Sequence, residues 1–288
     1  MEIKIAKICG LCGGCQNAIN KTLKALESHK KISVFKQLVH NDMVNNMLTQ
    51  KGAATKNSLK ELVHGEIVVL RAHGEPPATY DYLHDNKIKY IDCTCRLVKK
   101  IHELAEYYSE KGYTLVLIGK SGHPEIVGTL GYINGKSYLA GSEHDIDLIQ
   151  IATNERICVL YQTTFNEQKA AFLFKYLKNK FADNEVLNKN TICPVQKQIN
   201  SSALELASEC DIMIVVGNKN SSNTVELYNN LKKTTKTLFI QDLNKWQQEF
   251  KRENVILSEK IKIGITAGAS TRKEDLLLLK NMIMSAIL

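Results

Sequence analysis

Short β-branched runs alternate with helical patterns from one end of this 288-residue chain to the other. Strand candidates fall at 3–8, 32–38, 67–72, 89–91, 114–119, 157–161, 211–216, 237–240 and 262–267, with helical periodicity over 14–27, 41–50, 95–110, 166–180, 195–208, 222–233 and 272–286. Such alternation predicts an α/β fold built of βαβ units with mainly parallel sheets. Runs such as Ile212-Met213-Ile214-Val215-Val216 carry no polar alternation, as expected of strands buried on both faces. The length exceeds one ordinary core and fits two or three subdomains. With four prolines and no low-complexity linker, the units are expected to pack tightly.

Cysteine placement divides the chain further. Cys12, Cys95 and Cys193 each follow a strand candidate, at gaps of 83 and 98 residues, about one small α/β unit each. The reading is of three pseudo-equivalent subdomains, 13–95, 96–192 and 193–288 with 1–12. A thiolate ending the first strand of each could then meet the others at a common centre. Three thiolates can hold a soft metal or an iron–sulfur cluster and leave one coordination position open. Cys9, Cys15 and Cys93 stand beside these positions as packing residues or additional ligands, whereas Cys158 and Cys210 lie on apolar patterns and read as core.

Polar residues crowd the segments after the strands. Val39-His40-Asn41, Ala72-His73-Gly74, Gly119 to Glu125, Gln162-Thr163-Thr164, Gly217 to Asn223 and Thr266 to Ser270 all fall at expected carboxyl ends, where α/β sheets bind ligands. Imidazoles, hydroxyls and backbone N–H groups at helix starts suit an anion such as phosphate. Helix capping explains any one segment, and Thr271 to Glu274 reads as a capping box; six together favour a polar pocket. His40, His73 and His123 are candidates to bond a diphosphate, while His29, His64, His84, His102 and His144 read as structural. Glu125 is placed to donate protons or simply to favour a helix start.

Net charge is +8, but the 33 lysines are dispersed, and at 7% aromatic residues no basic stripe interleaved with rings is visible, which argues against nucleic-acid binding. The longest apolar stretch, 276–288, is interrupted by Lys280 and too short to span a bilayer, so no membrane association is expected. Nothing at the start reads as a leader, so a cytoplasmic location follows, where eight cysteines point to metal or redox chemistry.

The ordered set Gly10-Leu11-Cys12-Gly13-Gly14, Val39-His40-Asn41, Ala72-His73-Gly74, Asp92-Cys93-Thr94-Cys95, Gly122-His123-Pro124-Glu125 with Gly128-Thr129, Gln162-Thr163-Thr164, Ile192-Cys193, Val215 to Asn223 and Ile265 to Ser270 covers nearly the whole chain. In this the chain resembles the hydroxymethylbutenyl diphosphate reductases, the LytB family of the non-mevalonate isoprenoid pathway. The resemblance implies three subdomains around a central 4Fe–4S cluster, one per chain, held by Cys12, Cys95 and Cys193 with the fourth iron open. It implies a C5 allylic alcohol diphosphate as substrate and reduced ferredoxin or flavodoxin as electron donor. Two electrons and two protons would remove the hydroxyl as water, giving isopentenyl and dimethylallyl diphosphates. By motif, His40, His73, His123, Ser221, Ser222, Asn223 and Ser270 would hold the diphosphate. Glu125 would supply protons, with Thr163 near the substrate hydroxyl.

The chain departs from the family pattern at Cys9, Cys15, Cys93 and Arg96, and most strongly over 194–200, where Gln196 replaces a hydroxyl residue. Those departures also fit a diverged paralogue reducing another substrate. A non-catalytic iron–sulfur carrier or sensor is a further alternative, though it would have no use for a diphosphate clamp.

Overall fold

The computed structural model describes residues 1–29 and 31–286. Among them, twelve strands follow in chain order: β1 (Glu2–Ile5), β2 (Ile32–Phe35), β3 (Ala53–Lys56), β4 (Ile67–Leu70), β5 (Lys89–Asp92), β6 (Thr114–Ile118), β7 (Ser137–Ala140), β8 (Ile157–Tyr161), β9 (Val186–Asn188), β10 (Ile212–Val216), β11 (Lys236–Ile240) and β12 (Lys262–Ala267). The α-helices are α1 (Gly13–Ser28), α2 (Asp42–Gln50), α3 (Pro77–Asp85), α4 (Arg96–Glu110), α5 (Pro124–Leu130), α6 (Glu143–Asp147), α7 (Glu167–Lys180), α8 (Pro194–Ala207), α9 (Ser222–Leu231), α10 (Trp246–Arg252) and α11 (Lys273–Ser285). By contacts the chain divides into two compact units, one of Met1–Gln16, Val39–Leu48 and Pro194–Leu288, the other of Asn17–Leu38 and Thr49–Cys193.

The strands form three four-stranded sheets with every pairing parallel, in the orders β3-β2-β4-β5, β7-β6-β8-β9 and β11-β10-β12-β1. All three follow one plan. The first strand in sequence pairs with the second on one side and the third on the other, and a fourth closes the edge. In the last sheet that fourth position is taken by β1, from the amino-terminal end of the chain.

Burial explains why a central strand such as β10 is apolar throughout. Ile212, Ile214 and Val216 face a core with Trp246 and Phe250 of α10 and Leu276, Leu279 and Ile283 of α11. Met213 and Val215, on the opposite face, pack on Ile199, Ala203 and Leu206 of α8 and Leu227 and Leu231 of α9. Successive side chains point to opposite faces, so a strand covered by helices on both sides has few polar positions to offer. The sheet of β6 to β9 repeats this: Val116, Ile118, Val159 and Tyr161 meet α6 and α7, while Leu115, Leu117, Cys158 and Leu160 meet α4 and α5. Cys158 is therefore a core residue, as its pattern suggests, and burial pushes its thiol up to about 12.

Three strands and four helices have no counterpart in the sequence reading. β3, β7 and β9 are sheet edges of three or four residues, half-exposed and without a continuous apolar run. Helices α5, α6 and α10 have seven residues or fewer, too short to display a period, and α3 opens on Pro76-Pro77, which reads as a break. Two further expectations are corrected. The cysteines follow the fourth strand of each sheet, not the first, because every crossover to the next sheet leaves from that edge. Thr271 does not cap α11: its Oγ1 donates to the Val216 carbonyl at 3.2 Å, and Arg272 occupies the cap position without a side-chain bond.

Candidate active site

Functional side chains occupy equivalent places in the three sheets. The fourth strands β5, β9 and β1 lead to Cys95, Cys193 and Cys12, and each cysteine stands directly before a helix, α4, α8 and α1. The first strands β2, β6 and β10 lead to His40, His123 and the Ser221-Ser222-Asn223 run; the third strands β4, β8 and β12 lead to His73, Thr163 and Ser270. Only the second strands contribute nothing.

In the unit of Asn17–Leu38 and Thr49–Cys193, Cys95 caps α4, and its N–H donates to the Ala72 carbonyl at 2.9 Å. Its approach loop is held by Asp92, whose carboxylate accepts from the Thr94 N–H at 2.8 Å and hydroxyl at 2.5 Å and pairs with Lys99 at 2.5 Å. Lys99 was not singled out in the sequence, where it is one lysine among 33. Cys93 is fully buried, its thiol directed at the Ala18 carbonyl, which is a packing role. The His73 and His123 rings meet edge to face with centroids 5.7 Å apart. The Glu125 N–H donates to His123 Nδ1 at 3.2 Å, so a neutral His123 carries its proton on Nε2 and presents a donor there. Gly74 has a φ of +78°, and a Cβ there would stand 2.6 Å from His102 Cε1; the turn after His73 thus requires glycine. His102 itself is buried and stacked on Tyr132 at 4.3 Å, the structural role expected, and desolvation lowers it to about 4.

Glu125 is 1% exposed. Thr163 holds it twice, by its N–H to Oε1 at 2.5 Å and its hydroxyl to Oε2 at 2.6 Å. Burial penalises the carboxylate more than these bonds favour it, and the group is raised to about 7. The Thr163 carbonyl in turn accepts from the Cys193 N–H at 2.8 Å. One residue therefore ties the acid to a thiol. Gln162 supports it from both sides, accepting from Lys120 N–H at 2.9 Å and donating to Thr164 Oγ1 at 2.7 Å.

In the unit containing Met1–Gln16, the Cys12 N–H donates to the Ala269 carbonyl at 3.0 Å, and the Cys12 carbonyl accepts from Gln16 N–H at 2.9 Å, closing the first turn of α1. The Cys15 thiol and backbone N–H donate to the Cys12 sulfur and lower it to about 6. Cys9 turns away, donating to the Ala6 carbonyl at 3.1 Å. Ser270 Oγ donates to the His40 carbonyl at 3.1 Å, and Asn41 Nδ2 to Thr271 Oγ1 at 3.3 Å. Ser221 caps α9, placing Ser222 and Asn223 in its first turn, where unpaired N–H groups favour an anion. Gln196, buried on α8, donates to the Asn223 carbonyl at 3.1 Å; the substituted position supports this turn. Cys210 packs half-buried at the end of the α8 core.

Fold and residues define a class: a parallel α/β protein whose carboxyl-edge loops carry thiols, imidazoles, hydroxyls and one buried carboxyl. The LytB protein family model matches residues 3–282, and the chain belongs to that family. It is 33% identical over 274 residues to 4-hydroxy-3-methylbut-2-enyl diphosphate reductase of Clostridioides difficile, covering 94% of this chain and 95% of that one. It is 34% identical to the Aquifex aeolicus protein of the same name, over 94% and 92%. The structure of E-1-hydroxy-2-methyl-but-2-enyl-4-diphosphate reductase from Plasmodium falciparum superposes with a TM-score of 0.88 at 26% identity, covering 98% of this chain and 88% of that one.

Members of this family carry a 4Fe–4S cluster. Among the described residues no three His, Cys, Asp or Glu side chains are grouped closely enough to hold a metal ion. The donor chemistry nevertheless fits. Thiols are the ligands such clusters take, and three stand at helix N-termini, where the backbone dipole favours anionic sulfur. Among the described residues no helix is long and apolar enough to cross a membrane.

Proposed function

We propose that the chain reductively dehydroxylates 4-hydroxy-3-methylbut-2-enyl diphosphate to isopentenyl and dimethylallyl diphosphate. Its cluster would be held by Cys12, Cys95 and Cys193, with one iron left without a protein ligand. When bound, the cluster supplies single electrons and a Lewis-acid position. Reduced ferredoxin or flavodoxin in the cytoplasm is the proposed source of those electrons. The subdomains on this reading are 13–95, 96–192 and 193–288 with 1–12.

The chain's own residues bind, orient and protonate. His123 Nε2, the hydroxyls of Ser221 and Ser222 and the N–H groups of Ser222 and Asn223 donate to the diphosphate, with His40, His73 and Ser270 completing its shell. Binding energy from that end fixes the rest of the substrate for reaction. Glu125 gives up a proton, with Thr163 relaying or orienting it at the substrate hydroxyl. The observation that carries this reading is Glu125 itself: a carboxyl raised to about 7 and bonded through Thr163 to the segment bearing Cys193 suits a general acid at neutral pH.

The test is anaerobic reconstitution, counting of iron and sulfide, and an assay of substrate reduction with dithionite and a viologen dye. Turnover abolished in Glu125→Ala with iron content intact, and abolished together with iron in Cys193→Ala, is the expected result. A full cluster without turnover in the unmodified chain would refute the reading.

A further inference from the structure

The sequence Cys12-Gly13-Gly14-Cys15 places two thiols three residues apart across the first turn of α1. Cys15 contacts Cys12 through both backbone and side chain, with its N–H 3.5 Å from the Cys12 sulfur and its thiol bonded to that sulfur. Helical geometry at this spacing brings the two Cα atoms to about 5 Å, within the range a disulfide spans. A Cβ on Gly13 would meet nothing within 4 Å, and Gly13 is exposed, so a small oxidant can reach the turn. Cys9, although equally close in sequence, directs its thiol to the Ala6 carbonyl and is not part of this pair.

We propose that Cys12 and Cys15 form a reversible disulfide in the cluster-free chain, a thiol–disulfide site that competes with cluster assembly. The competition rests on the reading of Cys12 as a cluster ligand; the disulfide does not. With oxidised glutathione as oxidant, the Cys12 thiolate attacks one sulfur, releasing a glutathione thiolate and forming a mixed disulfide. Deprotonated Cys15 then attacks the Cys12 sulfur and expels the second glutathione. Two cysteine thiols lose two electrons and two protons, and one disulfide becomes two thiols. Exchange of this kind is what a C-x-x-C pair at a helix start favours.

The experiment incubates cluster-free full-length chain anaerobically with oxidised glutathione, alkylates the remaining thiols, and maps the tryptic segment 8–21 by mass spectrometry. Free thiols should fall from eight to six, with the bond between Cys12 and Cys15. The Cys9→Ser variant should form the same bond, its thiols falling from seven to five. Cys15→Ser should hold glutathione on Cys12 with no internal bond. The oxidised chain should take up iron and sulfide only after reduction by a phosphine. Retention of all eight thiols, or a bond that pairs Cys9, overturns the proposal. Iron content is read separately: full loading of Cys12→Ser would refute the ligand assignment and leave the disulfide result standing.

Discussion

Replacing Glu125 by Gln keeps the shape of the side chain and removes its titration, so the variant reads what burial of this acid costs. In the folded chain the carboxyl is raised to about 7 from an ordinary 4.5. A carboxyl raised on folding contributes stability that is fully present below 4.5 and is lost as the pH rises through 7. At about 1.4 kcal/mol per pH unit, that window is worth about 3 kcal/mol. His102 acts in the opposite sense. Lowered from 6.5 to about 4, it contributes stability present above 6.5 that is lost as the pH falls through 4, also about 3 kcal/mol. In the unmodified chain the two nearly cancel between pH 4.5 and 6.5, and its stability curve hides both. Subtraction isolates Glu125, because His102 is common to both proteins. Urea unfolding of the two chains from pH 4.5 to 8, followed by circular dichroism, should show the Gln variant gaining about 3 kcal/mol on the unmodified chain across that range. In thermal melts this corresponds to roughly 5–10 °C. Curves that stay parallel at every pH would show that Glu125 titrates ordinarily and would remove the argument for it as a proton donor at neutral pH. The same titration sets the turnover profile: by pH 8 the protonated fraction is down about tenfold, and kcat should follow.

Thr163→Val removes a hydroxyl bond that favours the Glu125 carboxylate, so the alkaline limb of the turnover profile should move up by about one pH unit while kcat falls. Gly74→Ala should cost about 3 kcal/mol in thermal unfolding, combining a left-handed backbone with a Cβ 2.6 Å from His102; Gly52→Ala, also left-handed at +101° but facing open space, should cost about 1 kcal/mol. Serine at Cys12, Cys95 or Cys193 should each reduce bound iron several-fold, while serine at Cys9 or Cys93 should leave the iron content unchanged, as counted after anaerobic loading.

What the sequence made legible follows what burial does to composition. β10 is covered on both faces, so its run is apolar without interruption and its bounds are readable to a residue. Edge strands β3, β7 and β9 touch helices on little of their surface and carry no such signal. Overruns at 6–8, 36–38 and 71–72 have a cause of their own. The chain past the ladder bends away, Lys36 with a φ of +61°, yet stays tied to the sheet by single bonds such as Ala6 N–H to Ile265 O and Ala72 N–H to Leu38 O. Those are the loops that deliver Cys12, His40 and His73. Contacts that tune the site were not legible: Glu125 with Thr163 is a pairing across 38 residues, and Lys99 with Asp92 is a lysine distinguished only by where α4 places it.

The shared strand order explains why the chemistry is scattered yet regular. In a parallel sheet every strand ends on the same edge, and most return through a helix that starts there, so helix N-termini collect at that edge. The fourth strand has no further partner in its own sheet, and its exit helix leads to the next sheet, as α4 does from β5 to β6 and α8 from β9 to β10. A cysteine at that exit sits at the one turn per sheet that joins neighbouring sheets along the chain. The first-strand exits and the third-strand exits after β4 and β8 return within their own sheet, whereas β12 leads into α11; these exits carry the imidazoles, hydroxyls and the acid proposed to act on a substrate. On the proposed assignment, the cluster thiols lie at the exits that join one sheet to the next, and the proposed substrate groups lie at the first- and third-strand exits.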